Sequence, residues 1–195
     1  MQTATIAVHA LEPRFLEAWA RLFDACSSSC FCRYWHFSGD KNAWLERCAF
    51  SPEDNRSEQS ALVTAGDPMA RGLVALQGDA VVGWMKLAPR STLPKLRRLP
   101  VYRAHDLGDD EGVYAIGCLL VDPAHRGGGV ARTLVHAAPS FARVWGARAL
   151  EAYPRTSSEP LHPEEAWMGP RQIFLDEGFT RVGGETPYEV LRRVL

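Results

Sequence analysis

Apolar residues in this chain recur with two periods, and the way those periods alternate lays out its elements. Thr5 to Leu11 reads as a first strand, and Pro13 to Ala25 as a helix whose Phe15, Leu16, Trp19, Leu22 and Phe23 form one stripe. Pro13 suits the first helical position, where its missing N–H is no loss. Cys26 to Ser60 holds further helix and loop segments. Gly72 to Leu76 and Ala80 to Ala88 are two strands across the tight turn Gln77-Gly78-Asp79. Val113 to Val121 is a nearly continuous apolar run, the pattern of a strand covered on both faces. Val130, Leu134, Val135, Ala138, Phe141, Ala142 and Trp145 then recur at helical spacing. Pro139 lies inside that pattern and is expected to bend or interrupt the helix, which Gly146 ends. Ala149 to Pro154 is a short strand, and the strand–helix–strand order makes its pairing parallel. Gly169 to Phe179 reads as a last helix, with Thr180 to Gly184 and Tyr188 to Leu195 as closing strands. A hairpin feeding a parallel unit gives a mixed sheet, so the pattern predicts a single α/β (α+β) domain over residues 1–195.

Composition narrows this without changing it. At 195 residues, 46% hydrophobic and 23% charged, the chain can bury one good core without a second domain. A net charge of −1 and no long basic tract speak against nucleic acid as the main partner. No apolar run reaches the roughly 18 residues that a membrane span needs. Met1-Gln2-Thr3-Ala4 lacks a charged signal-peptide head, and five cysteines, an odd count, fit a reduced compartment. The expectation is a cytoplasmic protein with no membrane partner. Cys26, Cys30, Cys32 and His36 lie close together and either line a pocket with Phe31, Tyr34, Trp35 and Phe37 or bind zinc. The lack of paired C-x-x-C or H-x-x-x-H units weighs against a metal, and none is expected. The basic stretch Ser91 to Arg103 is read as a solvated loop, with a flap over a cleft as its functional alternative. Asp106, Asp109, Asp110 and Glu111 follow it and nearly cancel its charge.

The most informative segment joins the apolar strand to the helix. Arg126-Gly127-Gly128-Gly129-Val130-Ala131 places three glycines before a helix start, where the backbone can take positive φ and approach a ligand closely. The helix leaves its first N–H groups aimed at the turn, which makes an anion cradle. There is no Gly-Lys-Ser/Thr ending and no G-x-G-x-x-G spacing, so neither a Walker loop nor a dinucleotide fingerprint is present. The pattern that does stand, Arg-x-x-Gly-x-Ala preceded by Val121-Asp122-Pro123, resembles the acyl-CoA loop (Arg/Gln-x-x-Gly-x-Gly/Ala) of the GNAT superfamily of N-acetyltransferases. The element order is similar to that fold over nearly the whole chain: a mixed central sheet of about six or seven strands flanked by helices. More narrowly, Gly83-Trp84, Ala88-Pro89-Arg90 and Cys30-Phe31-Cys32-Arg33-Tyr34-Trp35 resemble a bacterial branch of the superfamily.

The resemblance implies acetyl-CoA as acyl donor and the primary amine of a small molecule as acceptor, attacked directly. It implies that the backbone of Arg126, Gly127, Gly128, Gly129, Val130 and Ala131, with Arg132 beside it, holds the pyrophosphate. Leu119, Leu120 and Val121 would contact the pantetheine, with the Leu119 amide on the thioester carbonyl. A homodimer through the C-terminal strands is the family expectation.

Acetyl transfer also needs a proton removed from an ammonium that titrates near pH 10. Glu151, beside the expected parting of the strands, is the first choice of base; the competing reading is a carboxylate that holds the strand. Tyr114, Glu111 and His105 are reserves. Many members of the superfamily carry a Tyr four positions before the Gly of Gly178-Phe179 to protonate the leaving thiolate. Phe174 stands there, so either Tyr153 serves as the acid, or CoA leaves as a thiolate without help, or activity is weak. The alternative function is an acyl-CoA-binding sensor or partner module with little or no catalysis. Trp35, Trp44, Trp84, Tyr34 and Tyr102 either shape an acceptor pocket or belong to the core.

Overall fold

A computed structural model describes residues 5–103, 105–157, 159, 161, 162 and 165–195. Residues 1–4, which bear on the signal-peptide question, lie outside the described residues. Strands β1 (Ala7–Ala10), β2 (Gly72–Gln77), β3 (Ala80–Pro89), β4 (Val113–Val121), β5 (Ala149–Ala152), β6 (Thr180–Glu185) and β7 (Tyr188–Val194) form one seven-stranded sheet, ordered β1-β2-β3-β4-β5-β7-β6. The β4–β5 pair is parallel and the other pairs are antiparallel. No helix among the described residues is long and apolar enough to cross a membrane.

Helices cover both faces of the sheet. On one lie α1 (Leu16–Ala25), α2 (Lys41–Phe50), α3 (Pro52–Thr64) and α4 (Pro94–Arg98), followed directly by α5 (Pro100–Arg103). Trp19 anchors this side, with its ring 5.7 Å from Trp84 of β3 and 4.7 Å from Phe23. The basic stretch 91–103 is therefore no solvated loop. Its Leu93, Leu96 and Tyr102 are buried, while Arg97 and Arg103 face outward.

The other face carries α6 (Val130–Val144) and α7 (Arg171–Asp176), packed through Leu134, Val135, Ala138 and Phe174. Contrary to the expectation from its position, Pro139 does not interrupt α6: the helix runs through it, and the ring is buried, so packing offsets the one hydrogen bond lost. The last helix is shorter than its apolar pattern because Gly169, at φ +87°, and Pro170 cannot extend it backwards. Gly178 ends it at φ +80°, with Phe179 N–H donating to the Phe174 carbonyl at 3.0 Å.

Two details of the sheet set the position of the cleft beside β4. In β3–β4, Lys86 pairs with Cys118 but Leu87 pairs with Ile116, so Gly117 is an extra residue, a β-bulge. The bulge shifts parity: Tyr114 and Ile116 share a face with Leu119 and Val121, while Ala115, Cys118 and Leu120 look the other way. Second, a Cβ on Gly83 would sit 2.5 Å from Cγ1 of Val130, the first residue of α6. Only a residue without a side chain lets the helix start rest on β3. Gly83→Ala should therefore overpack this contact by about 1–3 kcal/mol. A drop of several degrees in the thermal midpoint is expected, since roughly 2–4 °C accompany each kcal/mol at this size. A midpoint within one degree of the parent would mean that α6 yields freely.

Candidate active site

The strand that carries the site is buried on both faces to Leu119 and half-buried at Leu120 and Val121. It pairs with β5 only from Val113 to Ile116; beyond that register β4 continues beside β3 alone, so the two parallel strands part. The parting opens a cleft of about 320 Å³ between Leu119 and Val121 of β4, the loop from Arg126 to Arg132, and Ala166, Gly169 and Ile173 opposite.

Local chemistry builds the loop. Pro123 to His125 is a single 3-10 turn, capped by the Asp122 carboxylate, which accepts from the Ala124 amide at 2.8 Å. The His125 contact, at 3.1 Å, holds the Asp122 carboxyl below the usual carboxylate range. Nε2 of the same ring lies 3.1 Å from Gln77, which ties the loop to β2. Gly127 and Gly129 have φ of +76° and +83°, and a Cβ at either would meet nothing within 4 Å. These glycines answer to conformation and to the open space before them, not to crowding by the chain. The first intrahelical bond of α6 runs from Thr133 to the Gly129 carbonyl at 2.9 Å, so the amides of Val130, Ala131 and Arg132 precede the ladder. With the positive end of a fifteen-residue helix behind them, they suit an anion. Arg126 reaches back to the Val121 carbonyl at 3.3 Å, and the Arg132 guanidinium is paired with Asp176 of α7 at 2.6 Å. Of the strand residues expected at the pantetheine, Leu119 and Val121 line the cleft, while Leu120 packs towards the opposite face.

Glu151 is fully buried and saturated. Arg90 donates from Nη1 to both carboxylate oxygens at 2.9 and 3.0 Å, Arg192 donates from Nε at 2.8 Å and again from Nη2, and the Tyr153 hydroxyl donates at 2.6 Å. Each oxygen thus accepts at least two bonds, about as many as its lone pairs provide. Arg90, itself fully buried, also holds Asp110 at 2.5 Å and the carbonyl of Leu107 at 2.9 Å. The network clamps the ends of β3, β5 and β7 to the 105–112 loop, and no oxygen of Glu151 is left to face the cleft. Burial, and then the Glu151 charge, push the Tyr153 phenol well up. Its hydroxyl is committed to Glu151.

Tyr114 is elsewhere. Its hydroxyl accepts from Arg71 at 2.5 Å and donates to the Trp145 carbonyl at 3.0 Å. It lies five residues before Leu119, about 16 Å along a strand. Phe174 is a fully buried ring set edge-on to Phe179 at 5.5 Å.

The cysteine segment folds onto the sheet as packing. The Trp84 indole donates to the Cys32 sulfur at 2.9 Å, and Cys26 donates to the Val121 carbonyl at 3.6 Å. A thiol contact with Cys32 and then burial push the Cys30 thiol up. His36 faces the Thr92 carbonyl at 2.6 Å and is pushed down to about 2, by burial first and then by Lys86 and Arg33. No group of three His, Cys, Asp or Glu side chains among the described residues is arranged to hold a metal ion. Beside these thiols, Lys86 is fully buried with its ammonium on the Met69 carbonyl, and burial lowers it to about 8.

Sequence reasoning missed Arg90, Arg192 and Trp167 as structural determinants here. Arg90 and Arg192 carry no local signal, because their partner Glu151 lies 61 and 41 residues away.

A glycine turn at a helix start, opening into one cleft with a strand edge left by the parting of parallel strands, suits a phosphorylated ligand. The chain belongs to the Acetyltransferase (GNAT) family, whose sequence model matches residues 16–164. A comparison with curated proteins finds no match. Similar solved structures include the PaiA N-acetyltransferase of Thermoplasma acidophilum in complex with coenzyme A, at 10% identity and TM-score 0.55 over 98% of this chain and 99% of that one. The yncA protein of Salmonella typhimurium, with its cofactor acetyl-CoA, has 13% identity and TM-score 0.53 over 97% and 94%. An acetyltransferase from Thermus thermophilus has 18% identity and TM-score 0.54 over the whole of both chains. At these identities the likeness is one of fold.

Proposed function

We propose that this protein transfers the acetyl group of acetyl-CoA to the primary amine of a small molecule by direct attack, as a single domain. The observation that carries the reading is the continuity of the cleft: the α6 start and the freed edge of β4 share one opening, so pyrophosphate and thioester can be held together. In this reading the loop from Arg126 to Ala131, with Arg132 beside it, takes the pyrophosphate, and Leu119 and Val121 flank the pantetheine. The Leu119 N–H polarises the thioester carbonyl, stabilising the charge that develops on its oxygen. The amine attacks the carbonyl carbon, the C–S bond breaks, and CoA leaves as the thiolate.

With Glu151 and Tyr153 committed to each other and to Arg90 and Arg192, the acceptor reacts as the small neutral fraction of its amine, and its proton goes to water. The rate kcat/KM should then rise about tenfold per pH unit between about pH 6 and 9, since the ammonium titrates near 10. A plateau near neutral pH would assign the proton to a side-chain base instead. Thermal stability with and without acetyl-CoA, followed by CoA-thiol release with a panel of amines, tests the reading itself: a ligand bound by the native state raises the midpoint. A rise without turnover on any amine would favour an acyl-CoA-binding sensor, a reading supported by the buried Phe174 where a phenol is usual in the superfamily. No rise at saturating acetyl-CoA would remove both.

The same reading places the protein in the cytoplasm, in keeping with five free thiols, and makes nucleic acid an unsuited partner at a net charge of −1. It also includes a homodimer through the C-terminal strands, supported by the sheet-edge position of β6 and the exposed Val182 on it.

A further inference from the structure

The freed edge of β4 is occupied by the chain itself. Leu119 N–H donates to the carbonyl of Trp167 at 2.7 Å. The Trp167 indole stacks on Trp35, with centroids 5.3 Å apart and planes at 28°, and meets Tyr34 nearly perpendicular at 6.2 Å. Trp35 is in turn fixed to the bulge, donating from Nε1 to the Gly117 carbonyl at 2.9 Å. Two residues beyond Trp167, Gly169 lies so close to Leu119 that a Cβ would come within 2.5 Å of its Cδ1. Residues 166–169 therefore form a strap held onto Tyr34, Trp35 and Leu119 by a backbone bond, ring contacts and a close approach, with Met168 buried between them.

We infer that Trp167 is a positioning residue for the acyl donor: its carbonyl holds the Leu119 N–H that the thioester oxygen needs, and the donor's pantetheine must displace the strap to reach it. The inference rests on Leu119 as the thioester contact. One N–H makes one well-aligned hydrogen bond, so the two carbonyl oxygens compete for it. A shift of the strap away from Leu119 also disturbs the ring contacts of Trp167 with Tyr34 and Trp35.

Competition of this kind leaves a distinct signature. The affinity measured for a ligand falls by the fraction of molecules whose site is open to it, so weakening the docked strap must tighten any ligand that displaces it. The nucleotide part of the donor alone, 3′-phospho-ADP, reaches only the Gly127–Arg132 loop and should be indifferent to the strap. Trp167→Ala removes the ring stack and keeps the backbone. It is expected to bind acetyl-CoA about 3–10-fold more tightly, with 3′-phospho-ADP affinity unchanged, in calorimetric titrations of the full-length protein. A wall residue with no part in the competition would leave acetyl-CoA binding the same or weaker, and either result overturns the inference.

Hydrogen exchange of the wild-type protein supplies a second measurement, independent of whether the variant folds. Acetyl-CoA should raise exchange across residues 165–170, where Gly169 N–H donates to the Ala166 carbonyl at 2.8 Å, and 3′-phospho-ADP should not. Both ligands binding with no change in that segment would overturn the role of Trp167 and spare the acyl-CoA reading. Failure of both ligands to bind would overturn the two together.

Discussion

Gly129→Val is expected to abolish the acetyl-CoA-dependent rise in melting temperature while leaving the unliganded protein folded. The two halves of that outcome come from different facts. Gly129 has φ +83°, so a branched residue there is strained, but a Cβ meets no atom of the protein within 4 Å. The cost to folding is then local backbone strain of about 1–2 kcal/mol. The space into which the side chain projects is the open side of the loop, directly before the amides of Val130 and Ala131. An anion held there by charge-assisted bonds, each worth about 1.5–3 kcal/mol, would lose at least two of them, which is a loss of roughly 100-fold or more in affinity. The check is a thermal scan of parent and variant with and without acetyl-CoA. A variant that melts near the parent yet still gains the full shift would mean that the donor sits elsewhere.

Glu151→Gln should act first on stability. The substitution keeps the shape but removes the charge that Arg90 and Arg192 share, and it turns one oxygen into a donor facing their N–H groups. Removing one member of a buried ion network costs about 3–5 kcal/mol, because the remaining charge is left unmatched in a site that excludes water. With roughly 2–4 °C per kcal/mol at this size, the midpoint should fall by about 10 °C. Turnover per folded molecule at a temperature where the variant is intact should change little. A variant that keeps the parent midpoint and loses kcat would return Glu151 to the role of base. Arg90→Met tests the same clamp from the other side and should destabilise to a similar degree, since it takes a partner from Glu151 and from Asp110 at once and leaves them only Arg192, Tyr153 and Arg97.

The difference between Glu151 as base and Glu151 as clamp shows where reading along the chain stops. A carboxylate on the strand next to the parting is visible from the order of elements, but the donors around it are not. The surroundings of Tyr114 likewise depend on the tertiary structure. Simple alternation from Tyr114 sets it with Cys118 and Leu120, but the bulge at Gly117 inserts one residue and sets it with Leu119 and Val121 instead. On that face its hydroxyl is taken up by Arg71 and Trp145. The stretch 91–103 reads as solvated because its charges dominate the composition, while the buried Leu93, Leu96 and Tyr102 that dock it are few and need a partner surface to be recognised.

Taken by itself, the sequence determined what depends on neighbouring residues: the apolar run of β4, the glycines that turn into α6, the periodic stripe of that helix, the tight β2–β3 turn, and with them the family. Each of these is governed by backbone conformation and by a period of two or 3.6, which a linear string displays. The tertiary structure decided what depends on residues brought together from afar. It placed Glu151 between Arg90 and Arg192, at separations of 61 and 41 residues, gave the Leu119 amide to the Trp167 carbonyl, and tied the Tyr114 hydroxyl to Arg71 and Trp145. Those outcomes follow from strand order, from a one-residue bulge and from the need of every buried polar group for a partner, and none of these can be read from sequence spacing.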